Sequence, residues 1–130
     1  MPRIISLLLF FCIAAGLSCQ PTRVAPSSLT GKLVINGPCG NYVIQVLQGT
    51  PGPGRVVASW KDTLSNTVYT NVFTVSNQCH FPGSGSVLNK GDVFTFEWDG
   101  NPPANNCMVC EIYVPTPPVH DAVKNIQKIK

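Results

Sequence analysis

The sequence predicts an all-β domain, and three observations support that prediction. β-Branched and aromatic residues are concentrated in short runs. Gly, Pro, Asn and Asp separate the runs, as expected for turns. No stretch of about twelve residues repeats its apolar side chains with the period of an amphipathic helix. We therefore expect a small five-stranded OB-like barrel with an inserted hairpin at 55–66, the alternative being an immunoglobulin-like β-sandwich.

The strand-forming runs follow one another through most of the chain. The predicted strands are Lys32–Ile35, Tyr42–Leu47, Arg55–Trp60, Thr67–Val75, Val93–Trp98 and Met108–Val114, followed by a last strand or short helix in Val119–Lys130. Phe94, Phe96 and Trp98 alternate with polar residues, so their side chains share one face of their strand. This alternation predicts that the three aromatic rings face the core.

The N-terminus is typical of a secretory signal peptide. Met1–Arg3 carry a positive charge, an unbroken apolar stretch runs from Ile4 to Ala15, and small residues follow. A membrane-spanning helix needs about 20 apolar residues, so an N-terminal anchor helix is the less favoured alternative. The predicted organisation is a signal peptide at 1–18, a flexible tether at 19–30 and a single β-barrel-like domain at 31–130.

The charge of the mature chain excludes one class of partner. Removing residues 1–18 also removes Arg3, which leaves eight basic against six acidic residues and a net charge of +2. These charges are few and scattered, whereas nucleic-acid binding requires a dense basic patch. We therefore predict no nucleic-acid partner, and no motif in the sequence indicates a cofactor.

Four cysteines lie within the predicted domain, and their even number in an exported protein predicts two disulfides. These residues are Cys39, Cys79, Cys107 and Cys110. Three pairings are open. If Cys107 and Cys110 both lie in a strand, they point to opposite faces and take different partners, whereas a turn at Cys107 would allow a local bridge.

The Cys107-x-x-Cys110 spacing also raises an alternative function. A thiol redox centre uses such a pair at the start of a helix, and a zinc site uses four thiolates. The residues after Cys110 have strand character, and an exported chain meets oxidising conditions. The thiol redox or thiolate–zinc reading is therefore the alternative, and structural disulfides are the main prediction.

No residue pattern indicates catalysis, and we predict that the chain is not an enzyme. His80 follows Cys79, but neighbouring residues in extended chain point apart and a disulfide would use the thiol. The carboxylates show no spacing suited to acid–base chemistry. Four aromatic residues could instead stack on a flat ligand such as a sugar: Trp60, Tyr69, Trp98 and Tyr113. Core filling is the better explanation for Trp98, and Trp60 is the best candidate for contacting a ligand.

The residues around Cys19 suggest a membrane anchor. Leu17-Ser18-Cys19 after an apolar stretch resembles the cleavage box of bacterial lipoproteins, although Gly16 occupies the position where that family usually has leucine. The resemblance implies that Cys19 becomes the lipid-modified N-terminus of the mature chain. Full modification supplies several acyl chains, enough for stable anchoring. Cleavage by the ordinary signal peptidase is the alternative.

The body of the chain is similar in outline to small lipoproteins of Bacteroidota that carry OB-like domains. The likeness lies in Gly40–Leu47, Tyr69–Phe73, Lys90–Phe96 and Cys107–Cys110. It implies a place in the bacterial cell envelope, at the outer membrane or facing the periplasm, and attaches no biochemical role. The sequence thus predicts an exported binding or structural module, held to the membrane by lipid at Cys19, with a glycan or a protein as its ligand.

Overall fold

The computed structural model describes residues 28–83, 85–108, 110 and 112–130, and within them the all-β prediction is confirmed. The strands are β1 (Leu29–Asn36), β2 (Tyr42–Gln48), β3 (Val57–Asp62), β4 (Thr67–Val75), β5 (Val93–Trp98), β6 (His120–Asp121) and β7 (Val123–Lys128). Single turns of 3-10 helix span Pro38–Gly40 and Gln78–His80. Among the described residues, no helix has the length and apolar character that crossing a bilayer would require.

All seven strands belong to one sheet. Its order is β3-β4-β2-β1-β5-β7, with antiparallel neighbours throughout, and β6 pairs with β4 in parallel. This single sheet differs from the two packed sheets of the sandwich alternative. The hydrogen-bonded path does not close into a ring, so the structure confirms the all-β class without establishing a barrel. A turn after Asp62 joins β3 to β4 as a hairpin, whose first strand and turn lie within the range 55–66 of the predicted inserted hairpin.

The segment 120–128 curls the sheet because it contacts both β4 and β5. Its β6 part pairs with the C-terminal end of β4, and its β7 part pairs with β5. The buried Asn77 strengthens this contact. Its amide donates to the carbonyl of Val123 at 2.8 Å, and its side-chain oxygen accepts from the Val123 N–H at 3.1 Å. A buried amide that satisfies both of its functions in this way locks the final segment against the end of β4.

The main core lies inside the curled sheet. Phe73, Phe94 and Phe96 are fully buried there, and Trp98 packs against their edge, as the alternation in β5 predicted. Gly31 of β1 is needed beside them: a Cβ at this position would lie 2.7 Å from Ile44 Cγ2 and 2.9 Å from Phe96 Cε1. The close approach of β1 to these side chains therefore requires a residue without a Cβ.

Two sequence expectations are wrong. The described residues of the predicted strand Met108–Val114 form no strand, because Cys107 and Cys110 are tied to distant partners and this stretch is largely exposed. The domain also begins earlier than the predicted boundary at Gly31, since β1 starts at Leu29. That leucine is buried and pairs with Phe96, a partner that local sequence does not reveal.

Candidate functional site

The four cysteines of the domain form two long-range disulfides. Cys39 bonds Cys110 and Cys79 bonds Cys107, with Cα–Cα distances of 5.3 and 5.5 Å. Cys39 and Cys79 lie in the two 3-10 turns, so the bridges attach one long loop to two points at the same end of the sheet. The prediction of two disulfides among these residues is confirmed. Cys19, the predicted lipidation site, lies outside the described residues.

This pairing bears on the Cys107-x-x-Cys110 alternative. The two cysteines of the motif bond different partners, whereas a thiol redox centre cycles a bond between its own pair. All four sulfurs are engaged, so a tetrathiolate zinc site would require both bridges to be reduced. Within the described residues, no group of three or more His, Cys, Asp or Glu side chains is placed to hold a metal ion.

The bridges fasten the loop between β5 and β6, residues 99–119. Asn105 reinforces the attachment: its amide donates to the Ser76 carbonyl at 2.7 Å, and its oxygen accepts from the Cys79 N–H at 3.3 Å. Two large side chains of the loop project into solvent, Met108 at 98% and Tyr113 at 90% exposure. Tyr113, one of the four predicted stacking residues, therefore lies apart from the other aromatic rings.

The two histidines border separate cavities. His80 Nε2 lies 3.0 Å from the Ala104 carbonyl, next to an open cavity of about 360 Å³ that Cys79 and Phe81 also line. His120 borders a smaller cavity of about 130 Å³ beside the Cys39–Cys110 bridge. The thiol next to His80 is held in a disulfide, so a Cys–His nucleophile does not exist in this state.

Trp60 and Tyr69 form the aromatic pair on the second apolar cluster of the molecule. They are cross-strand partners in β3 and β4, and their rings stack with centroids 6.3 Å apart and 19° between planes. Beneath them lies a small buried cluster formed by Val34, Val43 and Val72. Both rings are only half-buried, so the structure brings together two of the four predicted stacking residues. Trp98 instead belongs to the main core.

An open groove of about 360 Å³ lies between this hairpin and the chain that leads into β5. Tyr69, Val34 and Gly91 line it, together with Lys32 and Lys90. The groove holds its shape because the Gly91 N–H donates to the Leu33 carbonyl at 2.7 Å. We call this feature, lined by Lys32, Leu33, Val34, Tyr69, Lys90 and Gly91, the Tyr69 groove.

The Tyr69 groove combines an aromatic ring, an apolar wall and two cations. Within the part of the chain that the structure describes, neither Lys32 nor Lys90 lies within ion-pair distance of a carboxylate. Of the ion pairs there, Lys128 holds Asp92 at 2.8 Å. The groove is therefore a positively charged concavity with an apolar lining, suited to a ligand that carries both a flat apolar face and a negative charge.

Asp62 stabilises the hairpin that carries Trp60 and Tyr69. The Ser65 hydroxyl donates to its carboxylate and is the main reason that the pKa of Asp62 lies below its ordinary value. Burial opposes this shift, while the Leu64 and Ser65 N–H groups and the charge of Lys90 assist it. The carboxylate is thus engaged by the turn.

The depressed pKa makes the hairpin sensitive to acid. A carboxyl group whose pKa is lower in the folded state stabilises the fold above its unfolded pKa, and that contribution is lost as pH falls through the folded value. We expect Asp62→Asn to lower the free energy of unfolding at about pH 7, with the difference from wild type shrinking towards about pH 2. Urea unfolding at several pH values measures this. Ser65→Ala should show a weaker form of the same dependence, and a difference independent of pH would contradict the assignment.

Sequence reasoning missed the two lysines of the groove. Lys32 lies in β1 and Lys90 in the turn before β5, 58 positions later in the chain, and no local motif links them. The alternation of β1 could have placed Lys32 on the same face as Val34 and opposite Leu33. The position of Lys90 depends on how the loop folds back onto β1, which the sequence does not reveal.

Comparisons with known proteins identify no relative of this chain. No protein-family model matches it, and no match is found among curated proteins or among solved structures. Its function is therefore inferred from the chemistry of its own residues.

Proposed function

We propose that this chain is an exported, lipid-anchored binding module without enzymatic activity, and that the Tyr69 groove is its binding site. The observation that carries the binding role is the groove itself. It places the half-buried ring of Tyr69 and the charges of Lys32 and Lys90 around an open concavity. A concave, partly apolar site with a few polar groups is the usual form of a ligand site.

The disulfides support the proposed export. Bridges over sequence separations of 71 and 28 residues persist in oxidising compartments and are reduced in the cytosol. A structural role for all four domain cysteines also explains why the Cys107-x-x-Cys110 spacing need not indicate redox chemistry. The module proposed here uses these bridges as braces for the loop between β5 and β6.

The proposed anchor is a lipid-modified Cys19 in the bacterial cell envelope. It is supported by the likeness of Leu17-Ser18-Cys19 to a lipoprotein cleavage box and by the proline-bearing segment that follows it. Several acyl chains on one residue would hold a domain at a membrane surface stably. The tether predicted at 19–30, which lies outside the described residues up to residue 27, would then connect the anchor to the domain.

Intact-mass spectrometry of the protein extracted from membranes tests this proposal. We expect a chain that begins at Cys19, carries acyl chains and contains four cysteines that do not react with a thiol reagent until reduction. A Cys19→Ala variant should lose the acyl mass and leave the membrane fraction. A full-length chain in the cytosol with every thiol titratable would contradict export, and a mature chain without added acyl mass would contradict the anchor.

A further inference from the structure

We propose that the ligand of the Tyr69 groove is an acidic oligosaccharide, which stacks a sugar ring on Tyr69 and places a carboxylate or sulfate between Lys32 and Lys90. This inference rests on the proposed binding role and names the chemical class of its ligand. The rings of Tyr69 and Trp60, the two lysines and the volume of the groove each support it.

The aromatic part of the site suits a sugar ring. Tyr69 packs beside its cross-strand partner Trp60, with the ring centroids 6.3 Å apart and 19° between the ring planes. Both rings also pack against the cluster of Val34, Val43 and Val72. A ring supported in this way keeps its orientation when a ligand binds, so little conformational entropy is lost. The C–H face of a pyranose is flat and weakly apolar, and it stacks well on an aromatic ring.

The charged part of the site favours an anion. Lys32 and Lys90 both border the groove. Asp62 is the carboxylate on which the charge of Lys90 acts, and the Ser65 hydroxyl and two backbone N–H groups already satisfy it. Asp92 is paired with Lys128 and accepts from the Asn89 N–H at 2.8 Å. The neighbouring acids are thus occupied, and the two lysines remain available for an incoming anion.

The size of the groove favours a short saccharide over a larger ligand. A volume of about 360 Å³ lies at the small end of ligand pockets and accommodates about one or two sugar rings. A nucleic acid would need several more cations along its backbone. An acidic ligand also has a measurable signature, because its binding to Lys32 and Lys90 weakens as salt is added.

Calorimetric titration of the mature, detergent-extracted protein tests the proposal. The probes are tetragalacturonate, its methyl ester and a sulfated chondroitin hexasaccharide. In a separate arm, vesicles of phosphatidylglycerol are offered to the Cys19→Ala variant, which has no acyl chains that could insert into them. We expect tetragalacturonate to bind about tenfold more tightly than the methyl ester, which has the same rings without the charges. Raising the salt from about 0.05 M to about 0.5 M should remove most of that preference. Tighter binding of either acidic saccharide supports the proposal and identifies the anion that the lysines prefer.

Variants connect the binding to the groove. Lys32→Gln and Lys90→Gln should each weaken binding of the acidic probe about fivefold and leave binding of the methyl ester unchanged. Lys124→Gln is the matched control, since it removes the same charge from an exposed position on β7 outside the groove. Tyr69→Leu keeps an apolar cover over the valine cluster, so the variant is expected to fold, and it should abolish binding of both saccharides.

Three results would overturn the proposal. Equal binding of the ester and the acid would remove the role of the lysines while leaving a saccharide-binding module. Binding of phosphatidylglycerol vesicles by the Cys19→Ala variant, in preference to every saccharide, would assign Lys32 and Lys90 to the membrane surface. If no probe binds to a chain whose mass confirms acylation and both disulfides, the ligand class is wrong even though export and anchoring stand.

Discussion

Replacing Cys39 and Cys110 together by serine is expected to lower the free energy of unfolding by about 4 kcal/mol. The reason is that this bridge closes a long loop, with a sequence separation of 71 residues, and so removes a large part of the entropy of the unfolded chain. For a domain of about 100 residues, the midpoint of thermal unfolding should fall by roughly 15–30 °C. Calorimetry of the two proteins under identical oxidising conditions measures the difference.

The second disulfide supplies the internal control. Replacing Cys79 and Cys107 by serine should be less damaging, about 3.5 kcal/mol, because their sequence separation is only 28 residues. Adding a reductant to the wild type should reproduce the sum of the two losses or unfold the domain. Two variants as stable as the wild type would show that the bridges do not brace the fold, which would also remove their support for export.

The second large effect is expected for Phe96→Ala, which should lower the free energy of unfolding by about 3–5 kcal/mol. Phe96 is fully buried at the centre of the main core, with its ring centroid 5.8 Å from that of Phe73 and 5.3 Å from that of Trp98. Its removal loses the transfer free energy of the ring and leaves a cavity beside Gly31, whose missing Cβ cannot fill the space. Urea denaturation with the two tryptophans as fluorescent probes measures the loss.

Tyr113→Ala is the matched comparison for Phe96→Ala. It also truncates an aromatic residue, but its ring is 90% exposed on the loop between β5 and β6. Its effect on stability should stay within about 0.5 kcal/mol. A loss comparable to that of Phe96→Ala would mean that the loop packs against the domain, and the division between buried core and exposed loop drawn here would be wrong.

The loop between β5 and β6 and the Tyr69 groove are held in place by different interactions. The loop has no strand ladder among its described residues. It is held by the two bridges, by the hydrogen bonds of Asn105 and by the buried Thr74 hydroxyl, which donates to the Pro117 carbonyl at 2.8 Å. The groove depends on the hairpin of β3 and β4 and on the turn before β5, both of which are held by regular hydrogen bonding. The disulfide variants should therefore have a much lower free energy of unfolding than the wild type, while their affinity for a ligand of the groove should change little.

The strands of the core could be predicted from the sequence because their signal is local. Alternation in Val93–Trp98 placed three aromatic rings on one face, and that face is the one that packs in the core. Runs of β-branched residues, which are also a local signal, identified β2 and β4. Such patterns can be recognised without knowing the packing partners, because each strand needs an apolar face towards the core whichever elements it packs against.

The local sequence led to a wrong prediction where contacts with distant residues determine the backbone conformation. Met108–Val114 has the β-branched and aromatic residues of a strand, yet its described residues pair with none. A strand forms only when a neighbour supplies hydrogen bonds, and here Cys107 and Cys110 are bonded to Cys79 and Cys39, which lie in 3-10 turns and not in strands. The same limit applies to the pairing itself, because an even number of cysteines predicts bridges without saying which sulfurs meet.

The sequence by itself determined the all-β class, the main strands, the buried face of β5 and the presence of two disulfides. Only the tertiary structure decided the disulfide pairing, the single curled sheet and the meeting of Tyr69 with Lys32 and Lys90 in one groove. The physical reason is the range of the interactions. Side-chain alternation and turn chemistry act over a few residues, whereas the groove and the bridges join positions that become neighbours only after the chain has folded.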